Sequence, residues 1–351
     1  MRRGLIARSQ DELPDAVLEA RLDRVRAAMR AAKLDALLVY TNNTRPAGVS
    51  WLTGFVPYWS EALLAVPCQG AAFLVVALTY RVKTWIERTS RVAEVVHAPR
   101  IGLESARRIA AVAPEAAVGV VELDTLSAGI ADDLAEGGPQ LTISDASELF
   151  AQLRVAADPA EIALAKRAAS IAHRALSQIP RDHDDLGQML ALAEAAAREQ
   201  GAEEVYLAAA PDLARDHRLR RIEGDAMRGR SFAIRASVAY KGNWVRLTRT
   251  VHPDDAVTRQ AIEAFTAAVA QLPDDDGLAA FPSWLVEGCR LTKPLDAVMG
   301  SRVTSRATPL PSVVSVQARI DVGGVPALIG APALLGADGK SASLLAPLGW
   351  Q

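Results

Sequence analysis

Arg235-Ala-Ser-Val-Ala-Tyr240-Lys-Gly242-Asn-Trp244-Val-Arg246-Leu-Thr248-Arg249-Thr250 is the stretch that decides how the second half of this chain folds. Its residues alternate as those of strands do, and Lys241-Gly242 breaks the run, so it reads as a strand pair joined by a turn. Arg235 and Arg246 stand within it with ten residues between them. An arginine stays protonated, has no acceptor and presents a planar fork that matches a carboxylate or a phosphate. A pocket lined by both would favour an anion and repel a divalent cation. The alternative is that both pair with internal acids, with Glu223, Asp225 and Glu287 as candidates, or that they reach solvent along their apolar stems.

Upstream, Asp158-Pro159-Ala160-Glu161 announces a helix. It supplies a capping side chain, a proline at the first helical position and a glutamate three residues beyond the cap. That helix runs through Ile162, Ala165, Ala168 and Ile171 toward Leu176, and further helices are expected over Leu186–Gln200 and Thr258–Gln271. Before it, apolar runs of strand length at Leu34–Tyr40, Ala62–Val66, Ala71–Ala77, Val95-Val96 and Val118–Val121 are interleaved with helical patterns at Leu18–Ala32, Glu104–Val112 and Leu126–Ala135. Such alternation argues for an α/β domain with helices on a buried sheet. The expected domains are 1–153 and 154–351, the second mixing helices with a curved antiparallel sheet.

Composition bounds the function. A chain of 351 residues, half of them hydrophobic, can build two cores. The net charge of −2 with both signs dispersed argues against nucleic acid or an anionic membrane as partner. Two cysteines, Cys68 and Cys289, are too few for a disulfide framework and agree with a reducing cytoplasm. No stretch approaches the 18 or so apolar residues of a membrane span. Val322-Gly-Gly-Val325 is a glycine turn without the strand-to-helix setting of a phosphate loop, and Ser312 and Ser315 belong to no recognisable triad. Trp59, Trp244, Trp284 and Phe281 either line a cleft or belong to a core.

The strand pair resembles that of the creatinase and Xaa-Pro aminopeptidase family, whose pattern is Asp, ten residues, Asp, then hydrophobic-Thr-Arg-Thr. Leu247-Thr248-Arg249-Thr250 is intact, Gly242-Asn-Trp244 keeps the Gly-aromatic step loosely, and both aspartates are arginines. Trp51-Leu-Thr-Gly-Phe55 resembles a step of the same family's N-terminal domain. The resemblance implies a pita-bread C-terminal domain and lets the remaining metal positions be checked singly. Cys289 stands at the histidine position and Gln317 at a glutamate position, and near Gly330 there is no carboxylate for the fifth ligand. Replacing two carboxylates by two guanidiniums changes the local charge by about four units, and each like-charge pair near 4 Å costs roughly 4 kcal/mol at an effective dielectric of 20. Neither a metal centre nor another cofactor is expected.

The family also places a substrate-contacting histidine near His217, which lies 18 positions before Arg235. An imidazole suits proton transfer, but Asp216-His217-Arg218-Leu-Arg220-Arg221 also reads as a solvated charged segment. His97, His173, His183 and His252 have no matching context and read as surface or helix residues. Two functions follow from the resemblance. One is a metal-independent creatinase-like hydrolase of a small anionic amino-acid or guanidino-like compound, gripped by Arg235 and Arg246 with His217 as proton carrier. The other is a non-catalytic peptidase relative that binds peptides or proteins as a scaffold partner. A homodimer is expected in either case.

Overall fold

The computed structural model describes residues 9–57, 59–272, 276–288, 301–302 and 310–349. The chain divides into two compact units between Arg154 and Val155.

The first unit is a six-stranded mixed sheet with helices on both faces. Its elements are α1 (Asp15–Ala31), β1 (Ala36–Asn42), α2 (Ala47–Thr53), β2 (Glu61–Pro67), β3 (Phe73–Val76), α3 (Lys83–Thr89), β4 (Glu94–His97), α4 (Ile101–Val112), β5 (Ala117–Val121), α5 (Ala128–Gly137), β6 (Thr142–Asp145) and α6 (Ser147–Val155). The strand order is β4-β3-β2-β1-β5-β6. Because side chains alternate along a strand, Leu37 and Val39 pack under α1, α2 and α6, while Ala36 and Leu38 pack under α4 and α5. The sequence reading omits α2, α3, β6 and α6. In β6, Thr-Ile-Ser-Asp is mostly exposed at the sheet's edge, so it carries no hydrophobic alternation.

Trp51-Leu-Thr-Gly-Phe55 is the end of α2 and its cap. Gly54 takes φ 81°, the left-handed conformation that a side chain disfavours, and its N–H closes on Ser50 O. The buried Arg21 side chain donates from Nη1 to Trp51 O at 2.6 Å, and Phe55 is fully buried. The segment is therefore a packing device of the first unit.

The second unit contains α7 (Pro159–Ser177), α8 (Leu186–Glu199), β7 (Glu204–Ala210), β8 (Phe232–Tyr240), β9 (Asn243–Val251), α9 (Asp255–Ala270), α10 (Asp276–Ala279), β10 (Ser283–Gly288), β11 (Ser301–Arg302), β12 (Ser312–Val322), β13 (Val325–Leu335) and β14 (Ala342–Leu344). α7 starts with a full capping box. Asp158 accepts from Glu161 N at 2.9 Å and Glu161 Oε2 accepts from Asp158 N at 3.3 Å, an arrangement contributing about 1 kcal/mol.

The second sheet runs β11-β10-β12-β13-β9-β8-β7, with β14 on β13. Val322 pairs with Val325 across Gly323-Gly324, both at positive φ, which is a two-residue hairpin turn. Helices α7, α8 and α9 cover one face. Phe232, Ile234, Ala236 and Val238 of β8, Val245 and Leu247 of β9 and Val314, Val316 and Ala318 of β12 meet Ala168, Ile171, Met189 and Phe265 there. The residues between them necessarily point to the other face. Those residues include Arg235, Arg246, Thr248, Ser315 and Gln317. Among the described residues no helix is long and apolar enough to cross a membrane.

Candidate functional site

Cross-strand neighbours share a face, so the register lays out this second face directly. One row reads Leu285, Gln317, Gly330, Thr248, Arg235, Ala208 across β10, β12, β13, β9, β8 and β7. Beside it, Glu287 faces Ser315, Ser315 faces Pro332, and Arg246 faces Ser237, which faces Tyr206. Arg235, Arg246 and Gln317, well separated in sequence, thus lie in two adjacent rows of one surface. Cys289 lies outside the described residues.

Gln317 occupies the middle of the first row. Its Oε1 accepts from the Thr248 hydroxyl at 2.6 Å, and its Nε2 donates to Ser315 Oγ at 3.2 Å. It reaches Thr248 by crossing β13 at Gly330, where a Cβ would fall on the Gln317 amide. The missing side chain at Gly330 is the space Gln317 needs. Gly330→Ala is accordingly expected to destabilise the protein by about 1–3 kcal/mol through overpacking. Gln317→Ala in the same chain should recover most of that loss in denaturant unfolding. An unchanged midpoint for Gly330→Ala would show that the amide is not confined.

The two arginines differ in environment. Arg246 forms an ion pair and hydrogen bond through Nη1 with Glu287 Oε2. Of the three candidate acids, Glu287 is thus the partner, and its side chain is only 15% exposed. Arg235 is half-buried, and its buried Nε has no hydrogen-bond partner among the described residues. Burial is the main cause that lowers its pKa from the ordinary value. Repulsion from Arg246 adds to the shift, and attraction from Glu287 offsets part of it. Two guanidiniums against one carboxylate leave a local net charge of +1 if all three are ionised.

His217 stands in the loop between β7 and β8 and lines a cleft of about 640 Å3 with Asp212, Arg230, His252, Arg319 and others. Neither Arg235 nor Arg246 lines that cleft. His252, read from sequence as a surface residue, shares the cleft with His217. Neighbouring Asp216 is held below its usual carboxylate range chiefly by hydrogen bonds from the Arg218 side chain and backbone. That accounts for part of the charged run as local pairing.

His173 lies in α7, in line with the reading of it as a surface or helix residue, and is half-buried. It meets Arg249, which is 1% exposed on the helix-covered face. Arg249 also donates to Ser177 Oγ at 3.1 Å and Pro347 O at 3.1 Å. His173 Nδ1 lies against both this guanidinium and Pro347 O, the latter at 3.2 Å. The Leu247-Thr248-Arg249-Thr250 motif now has a structural account. Thr248 holds Gln317, Arg249 ties β9 to α7 and the C-terminal segment, and Thr250 Oγ1 bridges the carbonyl and N–H of Leu328 at 2.9 and 2.8 Å.

Glu287, the carboxylate in these rows, is paired with Arg246. Two guanidiniums have no lone pair to offer, Gln317 is engaged by Thr248, and Gly330 brings no side chain. Among the described residues no three His, Cys, Asp or Glu side chains are grouped to hold a metal ion.

Fold and site together define a class, a creatinase/prolidase-type N-terminal domain followed by a pita-bread domain. Residues 21–156 match the family profile of the creatinase/prolidase N-terminal domain. Over 93–94% of its length the chain is similar in fold to solved Xaa-Pro peptidases. It is similar to an Xaa-Pro dipeptidase from Bacillus anthracis, at 17% identity and a TM-score of 0.69 over 93% of this chain and 97% of that one. It is also similar to an X-Pro aminopeptidase from Thermotoga maritima, at 18% identity and a TM-score of 0.69 over 94% and 98% of the two chains. A prolidase from Pyrococcus horikoshii aligns at 15% identity and a TM-score of 0.68 over 94% and 99%. No curated protein sequence gives a significant match.

Proposed function

We propose that the pita-bread domain binds a small carboxylate-bearing compound on Arg235 without a divalent metal, and that the protein serves as a ligand-binding relative of the Xaa-Pro peptidases rather than as a metallopeptidase. The observation that carries this reading is the half-buried Arg235 guanidinium. Among the described residues it has no acidic partner of its own, while Arg246 beside it is already neutralised by Glu287. A partly desolvated cation gains most from an anion brought by a ligand, and a bidentate arginine–carboxylate contact contributes about 1.5–3 kcal/mol. The structural relatives are named for Xaa-Pro dipeptides and peptides, and a dipeptide supplies such a carboxylate.

Thermal shift tests the proposal. Millimolar acetate or another small carboxylate should raise the melting temperature, Mn2+, Zn2+ and Co2+ should leave it unchanged, and Arg235→Gln should remove the carboxylate response. Two equivalents of metal per purified chain, found by elemental analysis, would sink the metal-free reading.

A second reading has one observation in its favour. His217 and His252 line one cleft with Asp212, a setting suited to proton transfer in a metal-independent hydrolase acting on small anionic amino-acid or guanidino-like compounds. Turnover of such a compound, abolished in His217→Ala with carboxylate binding intact, would establish it. A two-fold homodimer is proposed for either function, and a monomer mass independent of concentration in light scattering would refute it.

A further inference from the structure

The face that carries Arg235 ends in an aromatic pair that neither core uses. Tyr206 and Trp244 meet with ring centroids 5.7 Å apart and planes tilted by 36°. Tyr206 is 64% exposed. Trp244 lies two residues before Arg246 on β9, and Tyr206 faces Ser237, which faces Arg246, so both rings stand on the same face as the arginines. Between rings and guanidiniums the strands carry only small side chains. Ala208 faces Arg235, Ala239 faces Trp244, and Ser237 separates Tyr206 from Arg246. A trough with an aromatic wall at one side and a cation at the other is what this register of small side chains would form. From Tyr206 to Arg235 the path is one strand across and two residues along, roughly 8 Å between Cα atoms.

Resting on the carboxylate reading above, we propose that this trough takes an aryl-substituted carboxylate, with its carboxylate on Arg235, its ring against the Tyr206–Trp244 pair, and a short saturated linker between them. The exposed Tyr206 ring and the half-buried Trp244 ring favour an aromatic partner in offset or edge contact over an aliphatic chain of equal length. The small residues of the trough leave room for the linker, and the pairing of Arg246 with Glu287 keeps a second guanidinium from competing for the carboxylate.

The test is calorimetric titration of the full chain with acetate, hexanoate, 3-phenylpropionate and guanidinoacetate. We expect 3-phenylpropionate to bind about tenfold or more tighter than acetate and to exceed hexanoate. Tyr206→Ala and Trp244→Ala should each cut that preference severalfold while leaving acetate binding unchanged. Arg235→Gln should lose every carboxylate. If 3-phenylpropionate binds no better than acetate, the aromatic assignment is overturned and the carboxylate site stands. Equal binding of hexanoate, or tightest binding of guanidinoacetate, overturns it as well. If no carboxylate binds, the carboxylate reading falls and this proposal with it. Circular dichroism of each variant separates loss of the site from loss of the fold.

Discussion

Arg249→Ala is expected to destabilise the second unit by about 3 kcal/mol or more, measured as a lower midpoint in denaturant unfolding with unchanged slope. The substitution removes a side chain that is 1% exposed and joins β9 to His173 and Ser177 of α7 and to Pro347 near the chain's end. It leaves a cavity and a carbonyl at Pro347 without its donor, two costs that add. Burial is the first cause that pushes the Arg249 pKa down to about 10, with Arg181 adding repulsion. For a base whose folded pKa is depressed, the penalty is fully present below that pH and is relieved as pH rises toward the unfolded value. The residue therefore stabilises through its bonds and packing, despite its charge. Arg249→Met, which keeps volume without a buried cation, should recover part of the loss. A variant at this position as stable as the parent would show that the anchor is redundant.

Arg235 and Arg246 are expected to be strongly non-additive. Arg246→Ala removes the partner of Glu287, but Arg235 stands near enough to feel that carboxylate and should take its place. The single substitution should then cost only about 1 kcal/mol of stability and should abolish the response to small carboxylates, because Arg235 is consumed internally. Arg235→Ala alone should also cost little, since the ion pair of Arg246 and Glu287 remains. The double substitution strands a carboxylate that is 15% exposed and should cost about 3 kcal/mol, so the cycle should show a coupling of about 1–2 kcal/mol. In the opposite direction, Glu287→Gln raises the local charge by one unit and should tighten carboxylate binding about tenfold at low salt, less at physiological ionic strength. Additive stability losses, or a carboxylate response surviving in Arg246→Ala, would show that the two guanidiniums do not share Glu287.

The residues that disclosed the architecture are those whose signal is local. Asp158, Pro159 and Glu161 form a helix start within four positions, and the structure realises it as a capping box. The strand pair around Lys241-Gly242 is equally local, since its turn residues and alternation lie in one stretch. The polar, exposed β6 and the seven-residue α2 were not legible. Neither carries enough apolar periodicity to separate it from a loop.

The sequence by itself determined the alternation of the first unit, the start of α7, the strand pair and the presence of two arginines on alternate positions of neighbouring strands. Only the tertiary structure decided what those arginines do. Glu287 lies 41 residues from Arg246 and became its partner because β10, β12, β13 and β9 stand in that order. The same order laid Gln317 over Gly330 to reach Thr248, left Arg235 without an acid of its own among the described residues, and put His217 in a cleft that neither arginine lines. Strand order is set by packing over the whole sheet, so a pairing that spans three strands leaves no periodic trace in the residues that make it.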